Sequence, residues 1–458
     1  MTIFSFALNS TELRAALSLA AVYVLRMLGL FMVMPVLAIL AQDFDDFSPM
    51  LLGLAIGGYG LTQALLQIPM GILSDKVGRK PIIIGGLLLF ALGSWLASSA
   101  DSLLVLVVGR FLQGAGAIAG AIMALAGDVS RESQRSKVMA IIGISIGFSF
   151  YLALLLGPLI AKNYGLSGIF SITAVLALCC IPLVWLVVPN ARNYAPSGDT
   201  LPVLQDVKNL YSDAQLARLN FGVFVLHLLI TLLFVQLPTL LLAQDFSLDQ
   251  QWSIYLPVLL ASILGMGWLM SLARKKGDYQ VIRIAIILLA VSCFGFVVLG
   301  HNFWGLMFAC WLFFTGFNFL EANFPAMVSN VAPAGKKGSA MGIYASFQFF
   351  GAFCGGVSSG LLKQYFAAEW IFVFAGILCV IWFLFMRALN STELLKRYTL
   401  PIEVSASTVQ EMSNQLGKLA GVKDITIVLE QKVAYLKVDS KVFDLRAARN
   451  ISKAEQSV

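Results

Sequence analysis

The chain has 458 residues, 59% of them hydrophobic and only 12% charged, with a mean hydropathy of +0.86. So few charges could not cover the surface of a soluble protein of this size. The net charge is +7, but the basic residues sit in short loops between apolar runs. They read as topology signals and not as a nucleic-acid footprint.

Apolar stretches long enough to cross a bilayer recur from the N-terminus to about residue 388. Residues 1–14 lack the pattern of a cleaved signal peptide, and none is expected. Twelve helices are predicted, near 13–41, 50–73, 81–99, 103–127, 137–161, 167–188, 216–242, 252–273, 281–300, 303–331, 338–363 and 368–388. Between the sixth and seventh lies a polar segment with Pro196-Ser197-Gly198-Asp199 and Pro202, which reads as a linker. The expected organisation is an N-terminal six-helix half (1–188), a cytoplasmic linker (189–215), a C-terminal six-helix half (216–390), a hinge (391–397) and a small cytoplasmic domain (398–458).

Loop charge sets the orientation. Lys76, Arg79, Lys80, Arg131, Arg135, Lys137, Arg274, Lys275, Lys276, Arg283, Lys336 and Lys337 fall on one side, and the linker adds Arg192, Lys208 and Arg218. The other side has little beyond Lys162 and Lys363, and its first loop is acidic (Asp43, Asp45, Asp46). Both termini are therefore expected in the cytoplasm. The six cysteines all lie in apolar runs without a CxxC pair, which predicts unpaired core cysteines and no metal site.

The last 60 or so residues are polar. A strand at 400–404, a helix at 408–419, strands at 422–429 and 433–438 joined by Glu430-Gln431-Lys432, and a second helix at 440–451 are predicted. The order β-α-β-β-α opens a ferredoxin-like α+β fold. Its final strand has no clear match, and its arrangement resembles metal-chaperone-like domains, whose CxxC is absent here.

Between helices 2 and 3 stands Gly71-Ile-Leu-Ser-Asp75-Lys-Val-Gly78-Arg79-Lys80. The glycines permit a tight turn and close helix approach, here of helix 2 to helix 11. Asp75 can accept from the start of helix 11, and Arg79 can reach Asp128 at the end of helix 4. The bland alternative is a merely basic loop. The second copy, Gly267-Trp-Leu-Met-Ser271-Leu-Ala-Arg274-Lys275-Lys276, has lost its carboxylate. In helix 4, Arg110-Phe-Leu-Gln113-Gly114-Ala-Gly116 buries a cation well inside a span; either it serves function or backbone carbonyls satisfy it. Helix 5 carries Gly143, Gly147 and Gly157-Pro158. Arg26, His227 and Glu321 each lie roughly 15 Å deep by helix rise. They should face a cavity or each other, and Arg26 with Glu321 is one such pairing. For His227 and Glu321 the alternatives are a neutral histidine bonded to a neighbouring helix and a structural ion pair. The phenylalanines of helix 10 suit lipophilic, ring-containing ligands, or simply lipid.

These motifs resemble those of the major facilitator superfamily over residues 10–390, and within it the drug:proton antiporter group with an appended C-terminal domain. The resemblance implies an all-α fold of twelve transmembrane helices in two halves, in a bacterial inner membrane. It implies a conformational latch of Gly71, Asp75, Gly78, Arg79, Lys80 and Asp128, and proton coupling through Glu321, Arg110, Arg26 and His227. It places Gln113, Gln236, Phe317 and Asn318 on the substrate cavity, and makes Gly147, Gly157 and Pro158 a partial helix 5 antiporter motif. The expected function is proton-driven efflux of small molecules, lipophilic ones among them, by alternating access. A proton-coupled metabolite importer and a non-transporting sensor signalling through the tail are the rivals. No cofactor is expected, and an enzyme is disfavoured, because no nucleophile–base set, phosphate loop or metal cluster stands out. The expected partners are a small-molecule substrate, protons and the lipid bilayer, with self-association or a protein partner through the tail.

Overall fold

The computed structural model describes residues 8–190, 210–333, 336–387, 395–402, 409–428, 433–439 and 442–453. Most of the expected linker, part of the hinge and the Glu430-Gln431-Lys432 turn lie outside these residues. Among the described residues, ten helices are long and apolar enough to cross a membrane. One of them, Glu132–Pro182, runs for 51 residues but turns at Gly165 (φ +61°, ψ −162°), which divides it into two helical segments. A further apolar helix, Trp370–Met386, has 17 residues.

These segments are numbered here as spans. Span 1 is Ser10–Met32 continued by Met34–Leu40, span 2 Pro49–Val77 and span 3 Arg79–Ser98. Span 4 is Leu103–Ala115 plus Ala119–Asp128, and spans 5 and 6 flank Gly165. Spans 7 to 12 are Ala214–Leu242, Trp252–Lys276, Asp278–Leu299, Phe303–Val331, Lys337–Tyr365 and Trp370–Met386. Several begin at a side-chain cap that fills the unpaired N–H groups of a helix start: Ser48, Ser102, Asp213 and Asn302. Asp46 adds two more bonds at the start of span 4, accepting from Leu103 N (2.7 Å) and Leu104 N (3.0 Å). Those bonds hold its carboxyl below the usual aspartate range.

Spans 1–6 and spans 7–12 bury largely separate cores. The halves meet most closely where span 2 crosses span 11. There Gly53, Gly57 and Gly60 lie against the backbone of Gly356, Phe353 and Phe349. A Cβ on Gly57 would stand 2.9 Å from the Phe353 carbonyl oxygen, so only glycine allows this approach. Gly71, expected to serve that contact, faces span 4 instead, near Gly120. It lies on the termini-bearing part of span 2, whereas the glycine contact occupies the other end. The contacts between halves cluster from mid-depth outward, away from the termini.

The tail forms a three-stranded sheet of β1 (Leu395–Pro401), β2 (Val422–Val428) and β3 (Val433–Asp439), in the order β1-β3-β2 with both pairings antiparallel. Strands β1 and β2 are thus parallel with β3 between them, a split β-α-β unit. The first strand starts five residues earlier than expected and takes in part of the hinge. Pairing of Leu395 with Asp439 sets that start, and Pro401, which has no N–H, marks the end. Leu400 and Ile402 point into a small core with Met412, Leu416 and Leu436.

Candidate functional site

On the termini-bearing side, Gly78 (φ +110°) breaks the chain between spans 2 and 3 and lets Arg79 fold back. The Arg79 guanidinium uses all three nitrogens. Nη2 pairs with Asp75 Oδ1 at 2.5 Å, Nε with Asp128 Oδ2 at 2.9 Å, and Nη1 donates to Ser74 Oγ at 2.7 Å. Ser74 passes the chain on, donating to the Gly71 carbonyl at 2.6 Å. Asp75, expected to accept from the start of helix 11, instead pairs with Arg79 across the Gly78 break, so the contact joins spans 2 and 3. Lys80 does not join this cluster: its Nζ donates to the Trp185 carbonyl at the end of span 6. At the second copy Gly277 repeats the turn (φ +89°), but Ser271 stands where the carboxylate would be.

A neighbouring pair escaped the sequence reading. Glu12, buried in the first turn of span 1, accepts from Arg131 Nε and Nη2, each at 2.8 Å, and from Arg131 N at 3.0 Å. It ties span 1 to the start of span 5. The only available signal was a lone acid at the head of an apolar helix.

Arg26 and Arg110 are both 1% exposed. Arg110 donates from Nε to the Ala55 carbonyl (2.8 Å), from Nη1 to Gln113 Oε1 (2.7 Å) and from Nη2 to the Ile56 carbonyl (3.4 Å), and it stacks on Tyr59. Arg26 Nη2 donates to Gln63 Oε1 (2.9 Å) and to the Gly116 carbonyl (3.0 Å), with its guanidinium over Phe90. Span 4 is broken at Gly116–Ile118, so that carbonyl stands outside a regular helix ladder, where it also accepts from Ile118 N at 2.9 Å. Arg26 therefore does not meet Glu321; helix arithmetic gave its depth, but its direction is inward to spans 2 and 4. Gln113, expected on the cavity wall, is fully buried, accepting from Arg110 and donating to Ser94 Oγ (2.8 Å). It positions an arginine and lines no cavity in this conformation.

In the second half, His227 of span 7, Glu321 of span 10 and Gln348 of span 11 converge. His227 Nδ1 lies 3.2 Å from the Val223 carbonyl, which can only accept, so Nδ1 carries a proton. Nε2 lies 2.7 Å from Gln348 Nε2, and in the Nδ1-protonated tautomer it accepts from that amide. The same amide donates to Glu321 Oε1 at 3.2 Å. The other oxygen, Oε2, lies 3.8 Å from His227 Nε2 and has no hydrogen bond. Phe317 packs beside the imidazole, with ring centroids 6.1 Å apart. Nearby, Asn318 donates to Ser262 Oγ (2.9 Å) and, across the two halves, to Tyr151 Oη (3.1 Å). Gln236 is buried, and its Oε1 has no partner.

Sequence reasoning missed Gln348 and Tyr151, which look like ordinary span residues until packing brings them together. Farther out, Lys162 at the end of span 5 pairs with Asp249 before span 8 at 2.6 Å. Lys363 donates to the Val235 carbonyl of span 7 at 3.2 Å. Gly157 of the helix 5 motif packs on the Met32 carbonyl, and Pro158 follows it. Gly143 and Gly147 have nothing within 4 Å of a built Cβ, so that part of the motif makes no close approach here.

Two helical halves around mid-membrane polar residues define a multi-pass membrane transporter. The model of the Major Facilitator Superfamily matches residues 19–327 and 219–416. The Inner membrane transport protein YajR of Escherichia coli (strain K12) is 37% identical over 437 residues, covering 94% of this chain and 95% of that one. The chain thus belongs to the Major Facilitator Superfamily and is a transporter, not an enzyme. The Quinolone resistance protein NorA of Staphylococcus aureus (strain COL) is 24% identical over 347 residues, covering 73% of this chain and 86% of that one. Among solved structures, a mutant form of the nucleoside transporter NupG superposes with a TM-score of 0.66 at 14% identity, over 82% of this chain and all of that one.

Proposed function

We propose that the protein is a proton-coupled antiporter that exports small molecules, lipophilic ones among them, from the cytoplasm across a bacterial inner membrane. The observation that carries this reading is the His227–Gln348–Glu321 cluster. A proton arriving at His227 Nε2 turns an acceptor into a donor. It displaces the Gln348 amide and faces the free Glu321 Oε2 at 3.8 Å. One proton thereby rearranges the bonds among spans 7, 10 and 11, and span 11 is the one packed on span 2 of the other half. The protein relative named for quinolone resistance supports export over uptake.

In this reading twelve spans form two halves of six with both termini cytoplasmic. The Arg79–Asp75–Asp128 cluster is a latch for the state closed on the cytoplasmic side. The cavity wall carries Phe317, Asn318 and Gln236, and Arg26 and Arg110 serve as scaffold for the first half. The tail, whose strand order fits a ferredoxin-like fold without its last strand, is a regulatory or partner-binding module.

The test is transport in proteoliposomes with an imposed pH gradient, using lipophilic cations, neutral drugs and polar metabolites. Glu321→Gln should abolish gradient-driven transport and leave substrate binding intact. Concentrative transport by that variant would refute the assignment.

A further inference from the structure

Lys80 closes the loop 2–3 motif but takes no part in the Arg79 cluster. It lies instead beside Arg14 of span 1, over the end of span 6. Lys80 Nζ donates to the Trp185 carbonyl (3.3 Å), Arg14 Nη2 to the Leu186 carbonyl (3.1 Å) and Arg14 Nε to the Val187 carbonyl (2.7 Å). These are consecutive carbonyls of the terminal turn Leu183–Val187, where a helix end lacks partners. The donors of Lys80 and Arg14 reach adjacent carbonyls, so two like charges are gathered at one helix end. Three carbonyls absorb three of their donors and none of their formal charge. Among the described residues, the acids nearest to the two cations in sequence, Glu12 and Asp75, are already paired with Arg131 and Arg79. Arg14 also lines a cleft of 460 Å³ with Ser10, Thr11, Pro189 and Asn190. Beside it lies an exposed apolar face, with Trp185 66%, Leu186 68% and Leu17 56% exposed.

We propose that this place binds the phosphodiester headgroup of an anionic phospholipid. Arg14 and Lys80 hold the phosphate with their remaining donors, and Ser10 and Thr11 offer hydroxyls from the cleft. The acyl chains run down the exposed Leu17–Leu186 face, and Trp185 stands at the interface where indole rings settle. An anion between the two cations removes their repulsion and braces spans 1, 3 and 6 together. That occupant answers to charge and to apolar area at once, which a free phosphate does not.

The experiment is native mass spectrometry of the full-length detergent-solubilised protein with phosphatidylglycerol, phosphatidylcholine or inorganic phosphate added. Phosphatidylglycerol should be retained at least tenfold better than phosphatidylcholine, given about 1 kcal/mol for each basic residue at an anionic surface. The double variant Arg14→Gln/Lys80→Gln should lose that preference, and Arg14→Lys/Lys80→Arg, which keeps both charges, should restore it. Equal retention of the two lipids by the wild type, or an unchanged preference in the glutamine variant, would overturn the proposal. Displacement of the lipid by millimolar inorganic phosphate would overturn it too, since it would make the site one for the free ion.

Discussion

Replacing Gly356 by alanine should wedge the two halves apart on the side away from the termini. A Cβ at this position would stand 2.9 Å from both the Cα and the N of Gly57, and closer still to the Gly53 carbonyl oxygen. All three are backbone atoms, so no rotamer change relieves the clash. Overpacking of this kind costs about 1–3 kcal/mol, and only in the conformer that closes span 2 on span 11. The conformational equilibrium should therefore move roughly 5- to 150-fold toward the conformer open on that side. The gain of about 0.5–1 kcal/mol in helix propensity applies to both conformers and cancels. Spin labels at Asp101 and His301, in a cysteine-free background, report the separation of the halves on that side. The variant should show a larger population at the longer distance and slower transport. Gly147→Ala is the control: nothing lies within 4 Å of its Cβ, so the distance distribution should not change. An unchanged distribution in Gly356→Ala would refute the view that glycine contact sets this closure.

Asp249→Asn should act in the same direction by releasing Lys162, and the same label pair should show a smaller shift, growing less distinct at high salt because the wild-type pair is itself screened. Arg110→Lys should lower the melting temperature in detergent, since a lysine cannot reproduce the fork to Gln113, Ala55 and Ile56; the loss is about 1–3 kcal/mol, and an unaltered melt would show the fork to be idle. Asp46 has a lowered carboxyl pKa because it accepts two N–H bonds in the folded protein. Its contribution is complete above the ordinary aspartate range and vanishes as pH falls through the lowered value. The melting gap between wild type and Asp46→Ala should therefore be wide at neutral pH and close in strong acid, as read by a pH series of thermal melts.

The spans were legible because a bilayer demands long apolar runs, and the split into halves followed from one polar segment. The pairing of Arg79 with Asp128 was legible because the two stand at neighbouring span ends, whereas Asp75, expected to meet the start of helix 11, pairs with Arg79. Arg26 shows where this kind of reading fails. Residue counting along a helix gives depth to within a turn, but not the side of the helix that a neighbour covers. That side depended on the break in span 4 at Gly116, which no periodicity announces. Gln113 was misplaced for the same reason. Gln348 and Glu12 were missed because their partners come from remote positions, 121 residues away for His227 and 119 for Arg131. The hinge shifted because strand pairing, and not local polarity, decides where β1 starts.

The distribution of buried charge divides the labour between the halves. The first half holds two fully buried guanidiniums, and among the described residues neither pairs with a carboxylate; carbonyls, glutamines and aromatic faces take that place. A guanidinium is a permanent cation. It can fix a helix crossing, as Arg110 fixes span 4 on span 2, but it cannot load and release a proton. The second half holds an imidazole and a carboxylate that share one amide, and the carboxylate's Oε2 has no hydrogen bond. Unlike a guanidinium, an imidazole and a carboxyl are groups that can take up and release a proton. A proton-coupled cycle in this molecule would therefore run through spans 7, 10 and 11, and would reach the first half through the glycine contact of span 11 with span 2. The arginines and the Arg79 cluster then set how rigidly the first half answers. That division predicts a separable phenotype. Damage to the arginines should appear first in thermal stability, and damage to His227 or Glu321 first in the dependence of transport on the pH gradient.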